Sequence, residues 1–371
     1  MRVFQFVKQV TPNTEQFEKK YEKVLDSLSY NEMRELYLND RFYSTHILKP
    51  VLDFDWQQVN YTVWDYERLQ RKWAEEKGFT YKNIKEVLFA QIEEFRPEVI
   101  YNLQPIYFSK DEIQNISGNP KKICWFAAPT NSKMDFSAYD IRLTNLTLDL
   151  KNEATDTFRN VYFYPAIDDC MNRLSSNQNR DIDILFYGQY VKGYFSNRNA
   201  LMNQLIDFKL ESTYNIKMHL LCQVIKEPII NIPYIRGKFK KMVFPPKKVW
   251  QNKDHALFGA DLYSTISRSK IVVNAGVDFS GEHKVNMRNF ETTGCGAMLL
   301  SDKGIYPKGF VAGKNYVAYE NFSDLVEKAT YYLEHEQERL TIANNGRAEI
   351  SQIYSKENQW NEFVKICESI A

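Results

Sequence analysis

Cysteine is scarce and unpatterned in this sequence. Its five copies, Cys124, Cys170, Cys222, Cys295 and Cys367, are scattered over 371 residues and never form a CxxC pair. Such spacing fits reduced thiols in a cytosol better than a disulfide framework or a zinc module. The five histidines are equally dispersed, so a dedicated metal site is not expected. His335-Glu336 lacks the second His of HExxH, Gly294-Cys295-Gly296 is not GxGxxG, and no P-loop is present. Net charge is missing too: 48 Lys and Arg against 47 Asp and Glu leave +1. That balance gives no global pull toward nucleic acid or an anionic membrane. No apolar run approaches the ~18–20 residues of a membrane span. Met1–Val10 reads as a short strand that turns polar at once, so no signal peptide is expected, and a cytoplasmic protein is.

What is present suits a large α/β protein. The length suggests two domains, and 44% hydrophobic residues are ample for two cores. The first part reads as strands at Arg2–Val7, Arg96–Tyr101, Lys122–Phe126, Tyr139–Leu143 and Asn160–Tyr164. Between them a long helix is expected over Thr14–Asn39, helical or irregular segments over Ile47–Leu52 and Tyr61–Glu76, and a helix over Ile84–Phe95. Alternation of this kind argues for a parallel, doubly wound sheet. Pro165–Arg180 reads as a hinge. The pattern then restarts with a strand at Asp181–Gly188, a helix at Arg198–Ile206 and a strand at Met218–Gln223. Tyr234–Trp250 is basic, and Asn321 is a plausible N-cap for a helix to Leu333. Asp53-Phe54-Asp55 and Asp181-Ile182-Asp183 imitate a metal-binding DxD. The second flanks the start of a strand, at the end opposite its glycine, and reads as structural.

The most informative stretch runs from Leu257 to Asp302. Ser269–Asn274 is a β-branched run, as a buried parallel strand should be. A loop, Ala275–Asn286, follows with Gly276 and Gly281. A short helix starts near Met287 and ends at Gly294-Cys295-Gly296, and Ala297–Leu300 is the next strand. A loop feeding a helix N-terminus after a parallel strand favours an anion. Lys284 and Arg288 add positive charge, and Glu291 follows one turn later. A phosphate next to a sugar with two hydroxyls suits that layout, because one carboxylate can accept from both.

This block resembles the nucleotide-sugar-binding half of GT-B glycosyltransferases, most closely the group named after the spore maturation protein CgeB. The matching residues are Ser269–Ile271, Asn274, Gly281, Asn286–Arg288, Phe290-Glu291, Thr293-Gly294, Gly296-Ala297 and Asp302. Leu69-Gln70, Trp73-Ala74 and Gly78 resemble the same group, and Gly188 with Arg198 match its glycine-then-arginine step. The resemblance implies an α/β GT-B architecture of two Rossmann-like domains facing across a cleft. Residues 1–165 would form the acceptor-side domain and 166–350 the nucleotide-sugar domain, with a C-terminal helix in 351–371 returning to the first.

It also implies a transferase that moves a sugar from a nucleotide-sugar to a glycan, glycolipid or similar acceptor, without metal or cofactor. No nucleic-acid partner is implied, and membrane contact is peripheral at most. Glu291 would hold the donor ribose. Arg198, Lys284 and Arg288, with the loop at Gly281, would neutralise the diphosphate; Gly188, Asn274 and Asn286 complete the expected donor site. Each cation could instead be a plain structural charge, and Arg288 could pair with Glu291 at i, i+3. The acceptor hydroxyl needs a base. His46, in the loop with Tyr43 and Ser44, is the first candidate, since a His titrates near neutrality. A structural histidine is the other reading, and Asp278 and His283 follow as candidates. Retaining enzymes of glycosyltransferase family 4 carry a second Glu eight positions before the ribose Glu. Position 283 here is His283 beside Glu282, so retention is not implied. Close relatives are also expected to carry His two residues after Asn274, where this chain has Gly276. The alternative is a catalytically inactive GT-B-like protein that binds nucleotide or glycan.

Overall fold

The computed structural model describes residues 1–130, 134–146, 159–176, 179–191, 195–222 and 245–370. They form two compact units, Met1–Ala166 with Tyr354–Ala371, and Ile167–Ile353. Each is an α/β unit built on one parallel sheet.

The first sheet comprises β1 (Val3–Val7), β2 (Val59–Val63), β3 (Val99–Asn102), β4 (Lys121–Trp125), β5 (Ile141–Thr144) and β6 (Arg159–Tyr162), in the order β2-β1-β3-β4-β5-β6. β1 is buried along its whole length, as a central parallel strand with both faces covered must be. β2 falls where helix or irregular chain was expected. Its pairing with β1, Val3 opposite Val59 and Val7 opposite Val63, overrides the weak local signal. The single helix expected over Thr14–Asn39 is two, Thr11–Tyr21 and Tyr30–Asn39. Ser29 restarts the chain through a capping box with Glu32, whose carboxylate accepts the Ser29 N–H at 2.8 Å.

The second sheet comprises β7 (Ile182–Tyr190), β8 (Ile216–Cys222), β9 (Ser269–Asn274), β10 (Met298–Asp302) and β11 (Val317–Tyr319), in the order β11-β10-β9-β7-β8. The edge strand β11 is three residues long, too short to show periodicity in the sequence. Asp181 binds Arg268, and Asp183 binds Lys270 at 2.7 Å and the Asn215 N–H at 2.8 Å. This DxD therefore ties the start of β7 to its neighbours. The expected hinge contains the helix Asp169–Leu174, within the second unit. Of the basic segment, residues 234–244 lie outside the described residues, and Lys247 and Lys248 open the helix Lys247–Asn252.

The helix Lys356–Glu368 belongs to the first unit. Lys356 Nζ donates to the Ile47 carbonyl at 2.8 Å. Gln359, fully buried, donates to the carbonyls of Thr45 at 3.0 Å and Tyr164 at 2.8 Å. Phe363 packs against Tyr101, ring centroids 4.9 Å apart. Gln359→Leu removes both donations and also the bond that Gln359 Oε1 accepts from buried Lys356 Nζ at 2.9 Å, leaving two carbonyls and an ammonium each short of a partner. We expect it to lower unfolding free energy by about 1–3 kcal/mol, read as an earlier urea midpoint at unchanged m. An unchanged midpoint would show that these bonds do not hold the helix.

Candidate functional site

In the second unit the strand order reverses between β7 and β9, since the connections from these adjacent strands leave on opposite sides. Open α/β sheets bind ligands outside the carboxyl ends of their strands at such a point. Four strand ends meet there: Tyr187-Gly188 of β7, Asn274 of β9, Ser301-Asp302 of β10 and Tyr319 of β11.

Asn274 is the hub. It is fully buried, and its Nδ2 donates to Asn289 Oδ1 at 2.9 Å and Ser301 Oγ at 3.0 Å. Its Oδ1 accepts from Arg288 Nη1 at 2.8 Å and Asn286 Nδ2 at 3.1 Å, and its carbonyl accepts from the Tyr319 hydroxyl at 2.8 Å. A buried amide with both ends satisfied fixes its neighbours as well as itself. Asn286 stands at the N-cap of the helix Met287–Gly294 but makes no side-chain cap bond. Its amide goes to Asn274 and to the Ala275 carbonyl instead, stitching helix start to strand end.

Two guanidiniums lie at this edge. Arg288, partly buried, donates to Asn274 and lies 5.9 Å over the Tyr187 ring. A Cβ at Gly188 would stand 3.2 Å from Arg288 Nη2, so glycine there lets the guanidinium lie against β7. Arg198, in the first turn of the helix Ser196–Glu211, is 3% exposed and covers the Phe195 ring at 4.0 Å. Burial, and then repulsion from Arg288, pull the Arg198 pKa down to about 9, against the attraction of Asp278. Burial also lowers that of Arg288. Among the described residues neither forms an ion pair, and Arg198 Nε has no hydrogen-bond partner. The i, i+3 pairing of Arg288 with Glu291 is therefore not a formed ion pair here.

Lys284 is placed differently. Its Nζ binds Asp302 Oδ2 at 2.7 Å, while Asp302 Oδ1 accepts the Gly276 N–H at 2.9 Å. A Cβ at Gly276 would come within 2.8 Å of Lys284 Cδ. The space that a histidine would take is thus filled by the Lys284 stem, and the charge of Lys284 is already balanced. Gly281 closes the turn Asp278–Ser280 with φ 57°, a left-handed value that suits glycine.

Glu291 is 7% exposed, and its Oε2 accepts from the Tyr187 hydroxyl at 2.7 Å. Burial raises its pKa, and the Tyr187 bond and Arg288 charge oppose the rise. Among the described residues Tyr187 is the only hydrogen-bond donor to the carboxylate, so Oε1 remains open to a ligand. Tyr187 was not singled out from the sequence; its position just before Gly188 was the available signal.

His46 does not join this group. It lies in the first unit, 2% exposed, with Trp125 and Tyr43 rings at 4.5 and 4.8 Å and with Nδ1 unpartnered among the described residues. Burial and the nearby Lys356 charge lower its pKa to about 3. The ring is a core residue, and its placement offers an acceptor hydroxyl no access. Among the described residues no cluster of three or more His, Cys, Asp or Glu could hold a metal ion, and no helix is long and apolar enough to cross a membrane.

Residues 212–365 match a family described as glycosyl transferase-like. No curated protein matches the chain in sequence. Among solved structures, an alpha-glucosyltransferase in complex with UDP-glucose and DNA containing an abasic site aligns at TM-score 0.59 and 10% identity, over 100% of both chains. Anabaena HepE in complex with UDP-glucose aligns at 0.54 and 11%, again over 100% of both. A glycosyltransferase from Rickettsia africae aligns at 0.52 and 11%, over 100% of this chain and 98% of that one. At these identities the likeness shows the fold: α/β, two parallel sheets of six and five strands, as in GT-B glycosyltransferases.

Proposed function

We propose that this chain is a glycosyltransferase that draws its sugar from a nucleotide-sugar bound at the carboxyl edge of the second sheet. One observation carries the reading. Arg198 and Arg288 lie close enough to repel each other, in partial or full burial, with no carboxylate partner among the described residues. Unpaired charge away from water is costly, so the pair is completed by an anion. Glu291, one turn beyond Arg288 with Oε1 open, adds an acceptor for hydroxyls next to that anion. A diphosphate joined to a ribose meets both demands. The family match and the fold agree with it.

In this mechanism the two guanidiniums offset the charge that builds on the leaving diphosphate, without a metal ion. Asn274 and Gly188 hold Arg288 in place for that task. The acceptor is a hydroxyl of a glycan or glycolipid, bound by the first unit. A second reading, nucleotide binding without transfer, is favoured by the burial of His46; detection of transfer or of slow donor hydrolysis discriminates between the two.

The test is calorimetric titration with UDP, GDP, CMP, dTDP and ADP, without added metal. One of them is expected to bind at micromolar concentration. Glu291→Ala is expected to weaken it by about 1–3 kcal/mol, roughly 5- to 150-fold. No binding by any nucleotide, with or without magnesium, would overturn the donor assignment. An unchanged affinity in folded Glu291→Ala would remove Glu291 from it.

A further inference from the structure

We propose that Tyr187 is a positioning residue that makes this site selective for a ribose diol, an inference that rests on the nucleotide-sugar reading above. Tyr187 comes from β7, 104 residues before Glu291. Its hydroxyl donates to Glu291 Oε2 at 2.7 Å, and its ring underlies the Arg288 guanidinium at 5.9 Å. The next residue, Gly188, lets the same guanidinium approach the strand. One dipeptide on the sheet therefore orders two side chains that the helix Met287–Gly294 presents one turn apart, the cation and the carboxylate.

The hydroxyl has a distinct task from the ring. A carboxylate that keeps a fixed donor on one oxygen cannot rotate freely, and its other oxygen is held in one direction. Glu291 sits in a 7% exposed position where water does not compensate a lost donor. With Oε2 taken, Oε1 is the atom left for ribose, and its two lone pairs can accept from neighbouring hydroxyls. A ligand lacking the 2′-hydroxyl leaves that oxygen underused. A site built to hydrogen-bond a hydroxyl rejects the analogue that lacks it. The bond also opposes the rise that burial gives the Glu291 pKa. Among the described residues, the charged and titratable groups around the carboxylate are Tyr187 from β7, and Arg288 and Cys295 from its own helix and the helix end.

The experiment compares the full-length wild type with Tyr187→Phe. Both are titrated with UDP, GDP, ADP and CDP, with the 2′-deoxy form of each, and with inorganic pyrophosphate. The Phe ring keeps the contact under Arg288, so pyrophosphate affinity is expected to stay within about 2-fold. Wild type is expected to prefer the ribonucleotide by about 10-fold or more, as loss of one hydrogen bond to a charged group implies. Tyr187→Phe is expected to bring that preference to about 2-fold, mainly by weakening the ribonucleotide. A preference unchanged in Tyr187→Phe overturns the inference and leaves the donor reading standing. A parallel fall in pyrophosphate affinity also overturns it, because Tyr187 would then be supporting the site as a whole. Absence of any ribose preference in the wild type likewise overturns the inference, whereas absence of nucleotide binding overturns the reading beneath it.

Discussion

Arg288→Met is expected to lower kcat/KM for sugar transfer by about 100- to 1,000-fold, the scale of one preorganised donor to a developing anion. Stability should hold or rise. The substitution keeps the stem of the side chain and removes a desolvated charge that has no ion-pair partner among the described residues. Asn274 Oδ1 keeps its bond from Asn286 at 3.1 Å, so the hub is not stranded. Repulsion on Arg198 also disappears. Lost activity with maintained stability is the signature of a residue kept for function at some cost to the fold. Steady-state kinetics and urea unfolding of the same preparation check both halves. If transfer survives, the leaving diphosphate is not stabilised by Arg288. If the protein unfolds instead, Arg288 is chiefly structural.

The second large effect concerns pH. His46 has a pKa near 3 in the fold against an ordinary value of 6.5. The unfolded chain therefore binds one more proton than the folded chain between those values. Stability from this group is complete above about pH 6.5 and falls as the pH drops toward 3, by about 1.4 kcal/mol per unit. His46→Phe keeps an aromatic ring between Tyr43 and Trp125 and cannot take up the proton. At pH 5 it is expected to have lost about 2 kcal/mol less than wild type, relative to each protein at pH 7.5. His219, whose pKa burial also lowers, contributes in the same direction to both proteins and cancels in the difference. Parallel unfolding curves at pH 7.5 and 5 for the two proteins would show that His46 is protonated or solvated in the fold. A transfer rate unchanged in His46→Phe would in turn dissociate this residue from the chemistry.

Much of the second unit was legible because its order is local. Ser269–Asn274 is β-branched and apolar throughout, and the structure buries all but Lys270 of it as β9. The helix start at Met287 and its end at Gly294 follow from the loop before and the glycines after. The first unit was harder. β2 carries Asn60 and Thr62 among its apolar residues and owes its extended form to pairing with β1. The break between Tyr21 and Tyr30 could have been found, since Ser29 and Glu32 stand at capping-box spacing. The three cations expected to act alike have different fates for reasons of packing. Lys284 reaches Asp302, whereas among the described residues Arg198 and Arg288 form no ion pair with a carboxylate.

By itself the sequence determined the alternation of strands and helices, the restart near residue 181 and the block from Ser269 to Asp302. Each is written in neighbouring residues, where periodicity and turn chemistry act. Tertiary structure alone decided which groups are desolvated and which share a partner. It brought Tyr187 to Glu291 across 104 positions, gave Lys284 to Asp302, left the two arginines without an ion pair among the described residues and buried His46 against Trp125. Those outcomes depend on burial and on distances between strands, and a hydrogen bond or a charge takes its strength from the surroundings that folding supplies.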